Sequence, residues 1–229
     1  MRLGLLLAIA AALCSCRGGS QPAATTELPE LALLSSLPIA FGENFGLDQG
    51  RSPLLGDLEG QYRVIPVDGP EQLKPGGLLL AAQPQALTAE RLVALDRWVR
   101  DGGRLVLLAD PALRFESSRP LGDRFRPPLR YPDTGLLKHW GVVLDDGVDG
   151  RVEASATDLG RGIRLEASGL GSLTRAGGAC TLSPTRAVAR CRIGKGYATI
   201  VADADFALSA EPEQRAAVVA LLNELSDGR

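Results

Sequence analysis

Histidine is almost missing from this chain: His139 stands alone in 229 residues, and lysine occurs only at positions 74, 138 and 195. That scarcity leaves little room for a His-rich zinc site or a Ser-His-Asp triad. Charge of one sign is also missing. Lys and Arg total 25 against 27 Asp and Glu, so a net charge of −2 offers no field that would favour nucleic acid. No apolar run reaches the roughly 20 residues that a membrane-spanning helix requires, the longest being the eleven residues Leu3 to Leu13. Neither a Walker A motif nor a dinucleotide fingerprint is present. Gly102-Gly103 follows a helical pattern and precedes a strand, the reverse of a phosphate loop. What is present, 45% hydrophobic and 23% charged residues, describes an ordinary globular chain, long enough to bury a full core without metals. With 27 Gly and 15 Pro, neither collagen-like repeats nor wholesale disorder fits.

The N-terminal segment reads as an address. A short basic start (Met1-Arg2), the eleven-residue apolar run and small residues after it describe a secretory signal over residues 1–15. Leu13-Cys14-Ser15-Cys16 is similar to a bacterial lipobox, which implies lipidation at Cys16; ordinary signal-peptidase cleavage nearby is the alternative. Residues 16–26 then form a Gly/Ser/Pro/Thr tether with no apolar period. Arg17 in place of Asp slightly favours the outer over the inner membrane, so the expected location is a membrane-anchored lipoprotein facing the periplasm. Once Cys14 is removed and Cys16 acylated, Cys180 and Cys191 remain as an even pair in an oxidising compartment. A hairpin turning at Ser183-Pro184-Thr185-Arg186 would bring them together as a disulfide contributing about 2–3 kcal/mol.

Hydrophobic periodicity outlines the body, residues 27–229, as a single domain. Leu31 to Leu34, Tyr62 to Val67 and Gly77 to Ala82 read as strands. Thr88 is a natural N-cap for a helix carrying Leu92, Leu95 and Val99 on one face, which stops at Asp101-Gly102-Gly103. Arg104 to Ala109 is another apolar strand, and Tyr197 to Ala202 followed by an amphipathic helix over Glu213 to Leu225 closes the chain. Strand, helix and strand with wholly apolar strands predict an α/β fold. The expected form is flavodoxin-like: a mostly parallel sheet with helices on both faces, plus a small antiparallel β insertion at about 151–193.

The stretch GGLLLAAQPQALTAERLVALDRWVRDGGRLVLLADP (Gly76 to Pro111) resembles the auxiliary domain of uncharacterised ABC-type transport systems, a group that includes the gliding-motility-associated ABC transporter auxiliary protein. LLKHWGVVLDDGVD (Leu136 to Asp149) and GKGYATIVADADF (Gly194 to Phe206) resemble later segments of the same family. The resemblance implies a class I glutamine-amidotransferase-like sheet and an accessory rather than catalytic role, with an ABC transporter or envelope protein as partner. Family members often carry a transmembrane anchor, whereas this chain offers a lipid anchor instead.

Candidate sites follow from the strand ends. The turn Ala81-Ala82-Gln83-Pro84 offers no Cys or Ser where an acyl-transfer nucleophile would stand, and His139 reads as a surface residue. Asp110, Asp203 and Asp205 each follow an apolar strand, and such ends line the ligand-binding edge of an α/β sheet. Three carboxylates there could hold a hard cation, or could simply accept backbone N–H groups. Arg114 to Tyr131 carries five Arg, three aromatics and three Pro, so it should form a loop over that edge. Arg114, Arg119, Arg124 and Arg126 are its candidate ligand contacts. The sequence thus predicts a non-catalytic binding lipoprotein with no cofactor and no metal. A metal-dependent hydrolase using the Asp residues, and a structural envelope protein, are the alternatives.

Overall fold

A computed structural model describes residues 27–43, 51–145, 155–167 and 170–226. The expected signal segment (1–15), the tether (16–26) and Cys16 lie outside the described residues. The centre of the molecule is built by runs too apolar to face water on either side. Leu78–Ala82 (β3) and Arg104–Leu108 (β4) are buried along almost their whole length. They pair in parallel from Leu78↔Arg104 to Ala82↔Leu108. Glu30–Ser35 (β1) pairs in parallel with β3 and with Arg63–Pro66 (β2).

On the other side of β4 lies Gly196–Val201 (β11), also parallel. Val188–Ile193 (β10) and Cys180–Leu182 (β9) then add two antiparallel strands. The order across this seven-stranded sheet is β2-β1-β3-β4-β11-β10-β9. Two small antiparallel sheets accompany it. Val142–Asp145 (β5) pairs with Ser172–Arg175 (β8), and Ser155–Gly160 (β6) pairs with Ile163–Ala167 (β7).

Alternate residues of the central strands enter opposite cores, as the pleat requires. Leu31, Leu33, Leu80, Val106 and Val201 share one core with Pro53–Glu59 (α1), Pro212–Ser226 (α4) and the β6–β7 hairpin. Leu79, Ala81, Leu105, Leu107 and Ile200 share the other with Ala89–Arg100 (α2) and Leu136–Trp140 (α3). Helix α2 starts where Thr88 caps it, the hydroxyl accepting from Arg91 N at 3.4 Å. It stops at Gly102, whose φ of +119° suits glycine. The next residue, Gly103, lets the Trp98 ring close down on the backbone, since a Cβ there would lie 2.5 Å from it.

The flavodoxin-like expectation is corrected by this architecture. Eleven strands against four α-helices make the described chain β-rich rather than helix-rich, and its main sheet is mixed, two antiparallel pairings following four parallel ones. The cause lies in the connections. Between β2 and β3 there is only a 3-10 turn (Pro70–Gln72), and between β4 and β11 the chain builds six further strands around one short helix. A hairpin, not a helix alone, covers part of one face: Leu159, Ile163 and Leu165 pack into the core beside α4.

The Cys180–Cys191 disulfide forms as expected, bridging directly paired residues of β9 and β10 inside the second core. Two ion pairs fasten α4, the first between a buried Arg215 and an Asp57 that is 39% exposed, the second mostly buried. Arg215 Nε donates to Asp57 Oδ2 at 2.6 Å, and Arg190 grips Glu224 with two bonds of 2.9 and 3.0 Å. Among the described residues no helix is long and apolar enough to cross a membrane.

Candidate functional site

Gln83, the residue that leaves β3, turns with φ +43°, a conformation that favours glycine and costs about 1 kcal/mol or more elsewhere. Its side chain is fully buried. The amide donates to the carbonyls of Asp110 (3.1 Å) and Pro128 (3.0 Å), while its oxygen accepts from Asp110 N (2.8 Å). Ser36 Oγ donates to the Gln83 carbonyl as well. The turn leaving β3 is therefore occupied by a buried amide with both of its N–H donors used.

The strand ends bring Asp110, Asp203 and Asp205 together, with one carboxylate oxygen from each lying within 4.8 Å of the others. Asp110 accepts from Ala112 N (2.7 Å) and Ala204 N (3.0 Å). Asp203 accepts from Asp205 N (2.8 Å), and Asp205 from Arg114 N (3.1 Å). Burial pushes the Asp203 carboxyl up to about 8, with repulsion from Asp110 and Asp205 adding to it. Burial likewise raises Asp110 to about 6 and shifts Asp205 upward. At neutral pH the trio thus carries at least one proton. Chemically it can tie the turns after β4 and β11 into one knot, and with the proton displaced it could offer three oxygens to a hard cation. A pocket of about 420 Å³ opens beside Asp203 and Asp205, also lined by Arg114, Glu166 and Glu211.

The four candidate arginines part company. Arg114 joins the acidic trio through its backbone N–H. Arg126 is turned inward, donating to the carbonyls of Ser117 and Arg119. Arg119 donates to the Glu43 carbonyl, lies 3.7 Å from Asp123 and has its guanidinium 5.4 Å from the centre of the Phe125 ring. Arg124 covers the same ring at 4.3 Å. Arg119 and Arg124 line a second cleft of about 670 Å³ at the carboxyl ends of β1, β2 and β3. His139 sits elsewhere, exposed beside Asp96 and Arg100.

Sequence reasoning missed Gln83 and Glu43. Burial pushes the Glu43 carboxyl up, but hydrogen bonds from Ser117 and Ser118 outweigh it and hold it below the ordinary value. A polar side chain closing a wholly apolar run, just before Pro84, was the signal available for Gln83.

No protein-family model and no curated protein matches this chain. Solved structures do. The mmIFT52 N-terminal domain is similar at 12% identity with a TM-score of 0.53, covering 86% of this chain and 96% of that one. Gan42B, a GH42 β-galactosidase, is similar at 18% identity with a TM-score of 0.51, covering 86% of this chain. Of that galactosidase the chain spans only 30%. At such identities the likeness concerns the fold alone.

Proposed function

We propose that this chain is a non-catalytic, periplasm-facing lipoprotein, an accessory or binding component of an ABC-type transport or cell-envelope system. It recognises a partner or ligand through the carboxyl edge of its sheet. The observation that carries this reading is Gln83. The sharp turn leaving β3 holds a buried amide bonded to both Asp110 and Pro128, so that corner serves to fasten the Arg-bearing loop in place. A scaffolded loop beside an open cleft favours recognition over turnover. Affinity capture from native membranes tests the reading. An envelope protein or ligand should co-purify reproducibly, and capture should fall when Arg124 and Phe125 are replaced. Capture of nothing, or of the same material by the variant, would overturn it.

One observation favours a second reading, a metal-dependent hydrolase: the three clustered carboxylate oxygens of Asp110, Asp203 and Asp205. Thermal melts with Mg²⁺, Ca²⁺ and Mn²⁺ discriminate, because an ion bound only by the native state must raise its stability. An unchanged melt with all three would remove this reading.

A further inference from the structure

The cleft at the ends of β1 to β3 has an apolar floor and a charged mouth with Arg124 at its rim. Leu37 and Val67 lie buried at its base, while Phe41 (60% exposed) and Phe125 (48% exposed) stand at its rim. Five charged residues line it: Arg91, Arg119, Arg124, Glu43 and Asp68. Three arginines against two carboxylates leave this lining one positive charge, and their bonds decide which guanidinium is open to a ligand. The Glu43 carboxylate is taken by Ser117 and Ser118, and Arg91 by Glu71 at 2.5 Å. Arg119 is engaged, donating to the Glu43 carbonyl and lying 3.7 Å from Asp123, whereas Arg124 is exposed, makes no salt bridge among the described residues and has its guanidinium on Phe125. A guanidinium resting on an aromatic ring can still donate its N–H groups to an oxyanion.

From this arrangement we propose that the cleft binds a small anionic amphiphile, a carboxylate or similar oxyanion carried on an apolar chain or ring. The inference rests on the recognition reading above and names the ligand class of that edge. A volume of about 670 Å³ falls in the range of roughly 300–1,000 Å³ typical of small-molecule sites. The floor offers apolar contact, which an inorganic anion would waste. The exposed Arg124 at the rim favours an oxyanion over an amine. The tail is buried against Leu37 and Val67, and the head group is met by the Arg124 guanidinium over Phe125.

Calorimetric titration of the purified chain with dodecanoate, dodecyltrimethylammonium and inorganic phosphate tests this, each amphiphile kept below its micellar concentration. One dodecanoate site is expected, with no measurable binding of the cation or of phosphate. Arg124→Glu should weaken dodecanoate about tenfold, a common size for losing one charge-assisted contact. Phe125→Ala should weaken it less. Both residues are exposed, and an unchanged melting temperature verifies that the variants fold. Equal binding of both amphiphiles, no binding of dodecanoate, or an Arg124→Glu variant that binds as before would each overturn the proposal. The two failures are separable. If dodecanoate does not bind but membrane capture is still lost in the Arg124 and Phe125 variant, this inference falls alone. If capture is also unaffected, the recognition reading falls with it.

Discussion

Gln83 and Asp110 exchange two hydrogen bonds, side chain to backbone, at the point where β3 and β4 cease to pair. The backbone ladder ends with Gln83 N donating to Leu108 O, and the Gln83 amide then reaches past it to continue the pairing. Gln83→Ala would leave the Asp110 and Pro128 carbonyls and the Asp110 N–H without this partner. The expected loss is about 2–4 kcal/mol in urea unfolding, with the slope unchanged. Gln83→Glu should be worse at neutral pH than at acidic pH, since a carboxylate would face two carbonyl oxygens.

The acidic trio predicts an inverted pH response. A carboxyl whose folded pKa is raised binds its proton more tightly in the native state, so its contribution is complete below the unfolded value near 4 and is lost as pH climbs. With Asp203 at about 8 and Asp110 at about 6, stability should decline between pH 4 and pH 8. Asp203→Asn keeps an oxygen for Asp205 N while removing the charge. It should flatten that decline and raise stability at pH 8, as followed by denaturant midpoints across the range.

Reducing the Cys180–Cys191 bridge reopens a loop with a sequence separation of 11 residues. Loop entropy puts the cost at about 3 kcal/mol, or a melting point lower by roughly 6–10 °C for a chain of this length. Melts with and without reductant, together with a Cys180→Ser/Cys191→Ser variant, check this figure. Identical melts would show that the staple contributes nothing.

Arg190 joins three elements: it holds Glu224 on α4 with two bonds and donates to Leu159 O on β6 at 2.8 Å. The pair is only 14% and 12% exposed. Glu224→Ala alone should therefore cost about 2–4 kcal/mol by stranding a buried guanidinium. Arg190→Met combined with Glu224→Leu should cost less than the sum of the single changes, leaving about 1–3 kcal/mol of coupling in a double-mutant cycle.

If the proposed anchor is correct, Cys16→Ala should move the protein from the membrane to the soluble fraction. Unchanged partitioning in a fractionation experiment would refute lipidation.

Several elements could be read from the residues because their patterns are long and local. Helix α2 lies between Thr88 and Gly102, where its cap and stop signals place it, and β3 and β4 coincide with unbroken apolar runs. The fold class could not be read. An apolar run such as Leu78–Ala82 says that both faces are covered but not by what, and a hairpin here does work that was assigned to helices. Strands as short and polar as Ser172–Arg175 or Cys180–Leu182 carry too little period to register. The three Asp residues could be located because they lie within four residues of the ends of β4 and β11. The task of Gln83 could not, since one of its partners, Pro128, lies 45 residues away along the chain.

The chain enters the sheet at Glu30, which pairs with Arg63 and Lys74, and α4 finishes with the Leu225 carbonyl on Arg104 at the start of β4. Entry and finish therefore share the border of the sheet remote from the Arg124 mouth. A bead, chip or label attached ahead of Glu30 or after Ser226 would leave that mouth pointing into solution. Immobilised samples should then bind as freely as dissolved ones.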